Sequence, residues 1–358
     1  MMAQSRPSEA RLLRQIVQEM TSILPSGWDL EATPPAGKGR PDFIGRITAP
    51  DGTSSEVIVE VKRTVVPRNI DAVMSQLRSY TAQGSATDAM LIVAAPYLSE
   101  TTREQIEGQG ASYIDSTGNV LLRSGRPGLF IKLRGASKDP WPSDETLRSL
   151  KGRGSARAVR ALLDFVPPYG VRDLAEKADV PLGSLSRTID LLDREGLIER
   201  ADRGPITDVD WQRVIRRWAK DYETATSNQV VTYLDPRGLA ALAEKLGKLK
   251  RGYATTGSLA AQRFSPIAPT RLASVYVNDV IRWGERLGLR AADAGANVWL
   301  IEPYDRVVFE RTIIRDGLVC VNPSQLAVDL LTGPGRDPAE GEELLAWMER
   351  NQDAWRLR

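Results

Sequence analysis

Asp42, Glu60 and Lys62 are the residues whose types and spacing first suggest chemistry. Asp42 follows Pro41 and opens an apolar run, while Glu60-Val61-Lys62 closes the run EVIVEVK. Alternate side chains of a strand share a face, so Glu60 and Lys62 point the same way, and an Asp42 borne on a neighbouring strand joins them. Two carboxylates are the oxygen ligands that a hard cation such as Mg²⁺ takes, which makes Asp42 and Glu60 the expected metal pair. The cation and the Lys62 ammonium together would activate water against a phosphodiester. Gln76 and Tyr80, four residues apart on a predicted helix, share a face and extend the set. Each piece alone has a plainer explanation, since Asp after Pro forms turns and charged residues end many strands.

The elements that must position these groups follow in order. Ser8 is an N-cap candidate for a helix running to about Leu24, with Leu12, Leu13, Ile16, Val17, Met20, Ile23 and Leu24 as its apolar face. Glu19 falls along that stripe. An inward acid is costly unless paired or metal-bound, so Glu19 is either a further acid of the site or an edge residue reaching solvent. Trp28–Ala32, Asp42–Thr48 and Glu56–Val61 read as strands, with Asp51-Gly52 as a hairpin signal. Ile70–Tyr80 is the helix bearing Gln76, and Met90–Ala94 suits a central strand buried on both faces. Ser99 caps a helix to about Gln109, and strands are expected at Ser112–Asp115, Val120–Leu122 and Leu129–Leu133. In this frame Pro41-Asp42, Glu60-Val61-Lys62 and Gln76-x-x-x-Tyr80 resemble the PD-(D/E)xK nuclease superfamily in its RecB-like form. The resemblance covers about residues 1–135. It implies a restriction-endonuclease-like mixed sheet flanked by helices, with Asp42, Glu60, Lys62, Gln76 and Tyr80 as site residues and Glu19 as the first-helix acid.

Composition narrows the chemistry. The chain of 358 residues is long enough for several domains, and its 48 basic and 46 acidic residues nearly cancel. Any contact with nucleic acid must therefore come from a local patch. Histidine is absent, which excludes histidine triads, zinc–histidine sites and histidine bases. The single cysteine, Cys320, lies in the apolar run LVCV and reads as a core thiol. Metal chemistry here is carboxylate chemistry. The polar first residues and the lack of a membrane-length apolar run lead to the expectation of a cytoplasmic protein that makes no membrane contact.

Residues 136–145 read as a linker within GASKDPWPSD. The next domain is expected over 146–225. It opens with Arg148, Lys151, Arg153, Arg157 and Arg160 and no acid, then a helix at Val171–Ala178, a turn at Asp179–Gly183, a helix to Glu195 and a hairpin over Leu197–Ile206. This is the order of a winged helix-turn-helix. Leu185, Ile189 and Leu192 mark the inner stripe of the second helix, so Ser184, Ser186 and Arg187 are its expected contacts to bases or phosphates. Arg200 and Arg203 on the wing, with Arg153 and Arg157 on the leading helix, are expected to hold the DNA backbone. The alternatives are a winged helix that binds protein, or two ordinary helices.

Asp210–Thr224 reads as a bridging helix rich in Trp and Arg. Residues 226–358 then alternate strand and helix signals: Val230–Leu234, Arg237–Leu246, Leu272–Val277, Asp279–Leu287, Val298–Ile301 and Val307–Glu310, with a last strand at Leu318–Val321. Thr256-Gly257-Ser258 looks like the Gly-Ser element of nucleotidyltransferase folds, but the following strand, Ala273–Asn278, lacks the acidic pair that transfer needs. A nucleotidyltransferase-like scaffold without that activity, or a plain helix cap, fits equally.

The chain thus reads as an α/β multidomain protein. Across most of its length it resembles the AbiEi-type antitoxins of type IV toxin–antitoxin systems. The stretches that carry this are Tyr113-Ile114-Asp115 with Gly118-Asn119, the winged helix, Tyr253 with Thr256-Gly257-Ser258-Leu259-Ala260-Ala261, Gly295-Ala296-Asn297-Val298, and Pro323-Ser324-Gln325-Leu326 with Asp329-Leu330-Leu331. The resemblance implies a transcriptional regulator that binds double-stranded DNA and acts beside a toxin protein, with a homodimer left open. Asp42, Glu60 and Lys62 are a departure that a pure regulator does not need. They keep open a Mg²⁺-dependent DNA endonuclease targeted by the winged helix. A module that neutralises a toxin by binding it is the third reading.

Overall fold

The structure is a computed structural model of the chain; it describes residues 7–33, 40–82, 89–141, 147, 149–200, 204–249, 251–266 and 269–358. They form a mixed α/β protein of two compact units, Met1–Thr146 with Arg194–Gly196, and Leu147–Asp193 with Leu197–Arg358. Each unit contains a mixed sheet of seven strands. Among the described residues no helix is long and apolar enough to cross a membrane.

The first unit opens with α1 (Glu9–Ile23), whose stripe buries Leu12, Ile16 and Met20. Its sheet comprises β1 (Asp29–Thr33), β2 (Phe43–Thr48), β3 (Ser54–Val61), β4 (Met90–Ala95), β5 (Ser112–Asp115), β6 (Val120–Ser124) and β7 (Leu129–Leu133), side by side in chain order. The β2–β3 hairpin turns on Gly52, at φ 83°, with Asp51 Oδ1 accepting the Thr53 amide at 2.8 Å. Strands β3, β4 and β5 are parallel and the remaining pairs antiparallel. The parallel steps need crossovers, supplied by α2 (Ile70–Ala82) and α3 (Glu100–Gly108), the latter capped by Ser99 as expected. Because β3 alternates, Val57, Val59 and Val61 pack against α1, and Ile58 faces the α2 and α3 side with Val73, Met74, Leu77 and Ile106. Glu60 belongs to that second face. The division into two faces decides which side chains can meet.

The second unit begins with α4 (Arg153–Asp164), α5 (Val171–Lys177) and α6 (Leu182–Arg194), followed by the two-stranded pair β8 (Ile198–Arg200) and β9 (Ile206–Val209). The turn before α6 is shorter than its sequence suggests: Asp179 takes φ 50° and the helix starts at Leu182. The expected long helix over Asp210–Thr224 is instead α7 (Trp211–Ala219) and the short α8 (Thr224–Ser227). The break between them turns Tyr222 inward, where its hydroxyl reaches Asp329 at 2.9 Å. The larger sheet holds β10 (Gln229–Leu234), β11 (Tyr253–Thr256), β12 (Ala273–Val277), β13 (Arg290–Ala291), β14 (Val298–Glu302), β15 (Ile313–Arg315) and β16 (Leu318–Cys320), in the spatial order β13-β10-β14-β12-β11-β16-β15. Around it lie α9 (Leu239–Gly247), α10 (Gly257–Ala261), α11 (Val280–Leu287), α12 (Pro323–Leu331) and α13 (Asp337–Arg350), while the expected element at Val307–Glu310 is a 3-10 turn at Arg306–Phe309 that ends before Glu310. A single apolar core runs from Leu150 through Trp218 to Trp355, shared by the three leading helices and the sheet.

Candidate active site

Five of the six expected site residues meet at the end of β3. The Asp42 carboxylate accepts the Val61 amide at 2.7 Å. This follows from register: Ile44 faces Ile58 across the hairpin, so Asp42 stands beside Glu60 on the same face. Glu60 is 3% exposed, and its Oε1 accepts both Lys62 Nζ at 2.6 Å and Gln76 Nε2 at 2.8 Å. Gln76 also reaches the Tyr80 hydroxyl at 2.7 Å. The four-residue spacing on α2 aligns these two side chains over the strand end, as expected of neighbours one helical turn apart.

The other Glu60 oxygen, Oε2, is buried without a hydrogen-bond partner. Leaving a carboxylate oxygen in that condition is costly, and a bound cation would relieve it. Beside it stands the exposed Asp42 carboxylate. This donor set fits a hard divalent cation, with Glu60 and Asp42 as the residues that would hold it. Burial alone would lower the Lys62 pKa, but its hydrogen bond to Glu60 and the charges of Glu60 and Asp42 outweigh that and hold it above the ordinary lysine value. The ammonium is therefore present at neutral pH. Burial raises the Tyr80 pKa, opposed by the Gln76 hydrogen bond, so the phenol keeps its proton.

Glu19 does not join this group. Its helix covers the opposite face of the sheet, with Val57, Val59 and Val61. Its pKa is raised, first by burial and then by the nearby Asp115 charge. Among the described residues no group of three acids converges in a way that could hold a metal ion, so the cluster contributes at most the Asp42–Glu60 pair.

The residues expected to meet DNA divide by what they touch. Arg153 and Arg187 are exposed on α4 and α6, with no ion-pair partner among the described residues. Ser186 is half-buried, and Ser184 lies against α4, where a Cβ added at Gly154 would come within 2.8 Å of its hydroxyl. Arg157 is committed internally, its Nε to both oxygens of the buried Asp305 at 3.0 and 3.1 Å. Arg200 pairs with Asp190 at 2.9 Å and Asp193 at 3.3 Å. Arg203 lies outside the described residues.

Sequence reasoning missed a polar network in the second unit. Asp329 accepts the hydroxyls of Thr256 at 2.6 Å, Tyr222 at 2.9 Å and Tyr276 at 3.0 Å, and the Gln325 amide at 2.9 Å. Burial raises its pKa against those hydrogen bonds. A second group joins the fully buried Arg160 and Asp164 to Arg311 and to the Ser324 hydroxyl. In the first unit, Asp115 accepts from the Leu98, Thr117 and Asn119 amides and from the Asn119 side chain. The polar residues of the Asp115–Asn119 and Ser324–Asp329 motifs therefore bond internally. Ser258 likewise bonds Asp337 at 3.0 Å, and Gly257, at φ 59°, packs against Ser274. Comparison with protein-family models, curated proteins and solved structures found no match.

Proposed function

We propose that this protein binds double-stranded DNA through the winged helix-turn-helix expected over residues 146–225 and regulates transcription in the manner of the AbiEi-type antitoxins it resembles. The observation that carries the reading is the succession α4, α5, α6 and the β8–β9 hairpin on one core, with Arg187 exposed near the start of α6. A second helix in this position is the one that enters the major groove. Arg200 supports the reading indirectly: by pairing with Asp190 and Asp193 it masks the acids of α6, which would otherwise repel phosphate. In this reading the first unit is restriction-endonuclease-like, and the larger sheet of the second is a nucleotidyltransferase-like scaffold without the acidic pair. A cognate toxin protein is the expected second partner.

The orphaned Glu60 oxygen favours a second reading, in which the first unit is a Mg²⁺-dependent DNA endonuclease brought to its target by the winged helix. Bound at Asp42 and Glu60, Mg²⁺ would polarise the phosphodiester and supply activated water. In this reading Lys62, now on Glu60 at 2.6 Å, would steady the charge that develops on the phosphoryl oxygens. A gel-shift and cleavage assay on the DNA upstream of the gene, with and without Mg²⁺, separates the two. Salt-sensitive binding lost in Arg187→Ala and indifferent to Lys62→Ala supports the regulator. Mg²⁺-dependent cleavage lost in Lys62→Ala, with binding kept, supports the nuclease. Absence of any shift at low salt sinks both.

A further inference from the structure

A cavity of about 650 Å³ opens in the second unit, bounded by Lys151 just before α4, by Lys220 to Glu223 between α7 and α8, by Ser227 and by Tyr304 after β14. Its size falls in the range that takes small organic ligands. The charges on its wall are unequal in their commitments. Asp221 is already bound, accepting Arg217 at 2.5 Å and the Leu150 amide at 2.8 Å. Glu223 accepts the Thr226 hydroxyl at 2.9 Å. Lys151 and Lys220 are exposed and have no ion-pair partner among the described residues. What the wall leaves for a visitor is two ammonium groups set against the one carboxylate of Glu223, whose charge a hydroxyl does not neutralise.

One hydroxyl adds to them. Ser227 accepts the Glu223 amide at 3.1 Å, which leaves its own proton to donate. The Tyr304 hydroxyl is buried with no hydrogen-bond partner and lies out of reach of the cavity, which Tyr304 lines with the rest of its ring. The Tyr304 ring stands 6.0 Å from that of Tyr222 and gives the cavity an aromatic side.

We propose that this cavity binds a phosphorylated small molecule of nucleotide size, with its phosphate between Lys151 and Lys220 and its organic part against Tyr304. Lysines bind phosphate as point charges, and a concave wall with an aromatic side suits a compact ligand better than a duplex. The site is independent of the DNA reading, because none of its residues belongs to the expected contacts of the winged helix.

The test is calorimetric titration of the full chain with AMP, ATP, inorganic phosphate and adenosine. AMP and ATP are expected to bind, inorganic phosphate more weakly and adenosine not at all. Lys151→Met and Lys220→Met should each lower nucleotide affinity about tenfold or more, and Lys248→Met, at the exposed C-cap of α9, should not change it. All three lysines are exposed, so unchanged thermal midpoints confirm that the variants fold. The proposal is overturned if AMP and ATP give no binding, or if the Lys151→Met/Lys220→Met double variant binds them as the wild type does. It is also overturned if adenosine binds as well as AMP, or if the only loss in the lysine variants is affinity for duplex DNA.

Discussion

The Asp42 carboxylate holds the Val61 amide at 2.7 Å, which fastens the acid to the peptide link between Glu60 and Lys62. The contact ties Asp42 to the backbone of β3, so changes at Glu60, Lys62 or Gln76 leave it in place. That makes the cluster open to mutation.

Lys62→Met removes the only cation paired with Glu60 among the described residues. The expected loss is about 1 kcal/mol, small because Lys62 is 32% exposed, read as a lower urea midpoint. The raised Lys62 pKa fixes the pH range of this contribution. It is fully present at neutral pH and is lost only as pH climbs through the folded value, above the ordinary 10.5. The wild-type and Lys62→Met midpoints should therefore converge only in strongly alkaline buffer. If the site cleaves DNA, the same change should cost about a hundredfold or more in rate.

Mg²⁺ should raise the melting temperature of the wild type, since a ligand that binds only the folded state stabilises it by mass action. Glu60→Gln and Asp42→Asn should abolish the rise, and Glu19→Gln should preserve it. A thermal scan over a Mg²⁺ series is the measurement; equal rises in all four proteins would place the cation elsewhere.

Arg187 and Arg157 should part company. Arg187→Ala should weaken DNA binding and reduce its salt slope by about 1, with the fold untouched. Arg157→Ala strips the buried Asp305 of its cation, and should lower stability by about 1–2 kcal/mol while leaving the salt slope nearly unchanged.

Asp337 is the group whose titration should show in stability near neutrality. Burial pushes its pKa up to about 6, against the Ser258 hydrogen bond and helped by Glu340 and Asp329. The folded state thus holds this proton at pH values where the unfolded chain has released it, so stability falls as pH rises from about 4 to about 6 and the penalty is complete above. Asp337→Asn should remove that fall. It should be more stable than wild type at pH 7, by of order 2 kcal/mol, with no advantage near pH 4.

The first unit was largely legible because its strands alternate or run apolar and its turns carry Gly52 and Ser99. The expected strands Ser112–Asp115 and Leu129–Leu133 coincide with those observed, and the others differ by one or two residues at their ends. The Asp42–Tyr80 cluster was legible for the same reason: strand and helix periods determine which side chains share a face. Glu19 shows the limit, since the stripe of α1 reveals that it borders the core but not which face of the sheet α1 covers. Arg160 shows another. It reads as one of a row of basic residues, yet it is fully buried against Asp164, a pairing completed by Arg311 and Ser324 from far along the chain. The helix α13 has only a weak stripe, and Gly341 lies so close to Leu331 that a Cβ there would stand 3.2 Å from it, a contact no local pattern announces.

The core that runs without a break from Leu150 to Trp355 bears on how such a protein can be cut and recombined. A fragment ending near residue 225 would carry Trp211, Val214, Ile215 and Trp218 stripped of the helices and strands that cover them, and should be recovered as aggregate. The three leading helices are therefore not a detachable cassette. If these helices read DNA as proposed, what they read travels with the sheet behind them, and new specificity would have to arise by substitution on α6 in place of domain exchange.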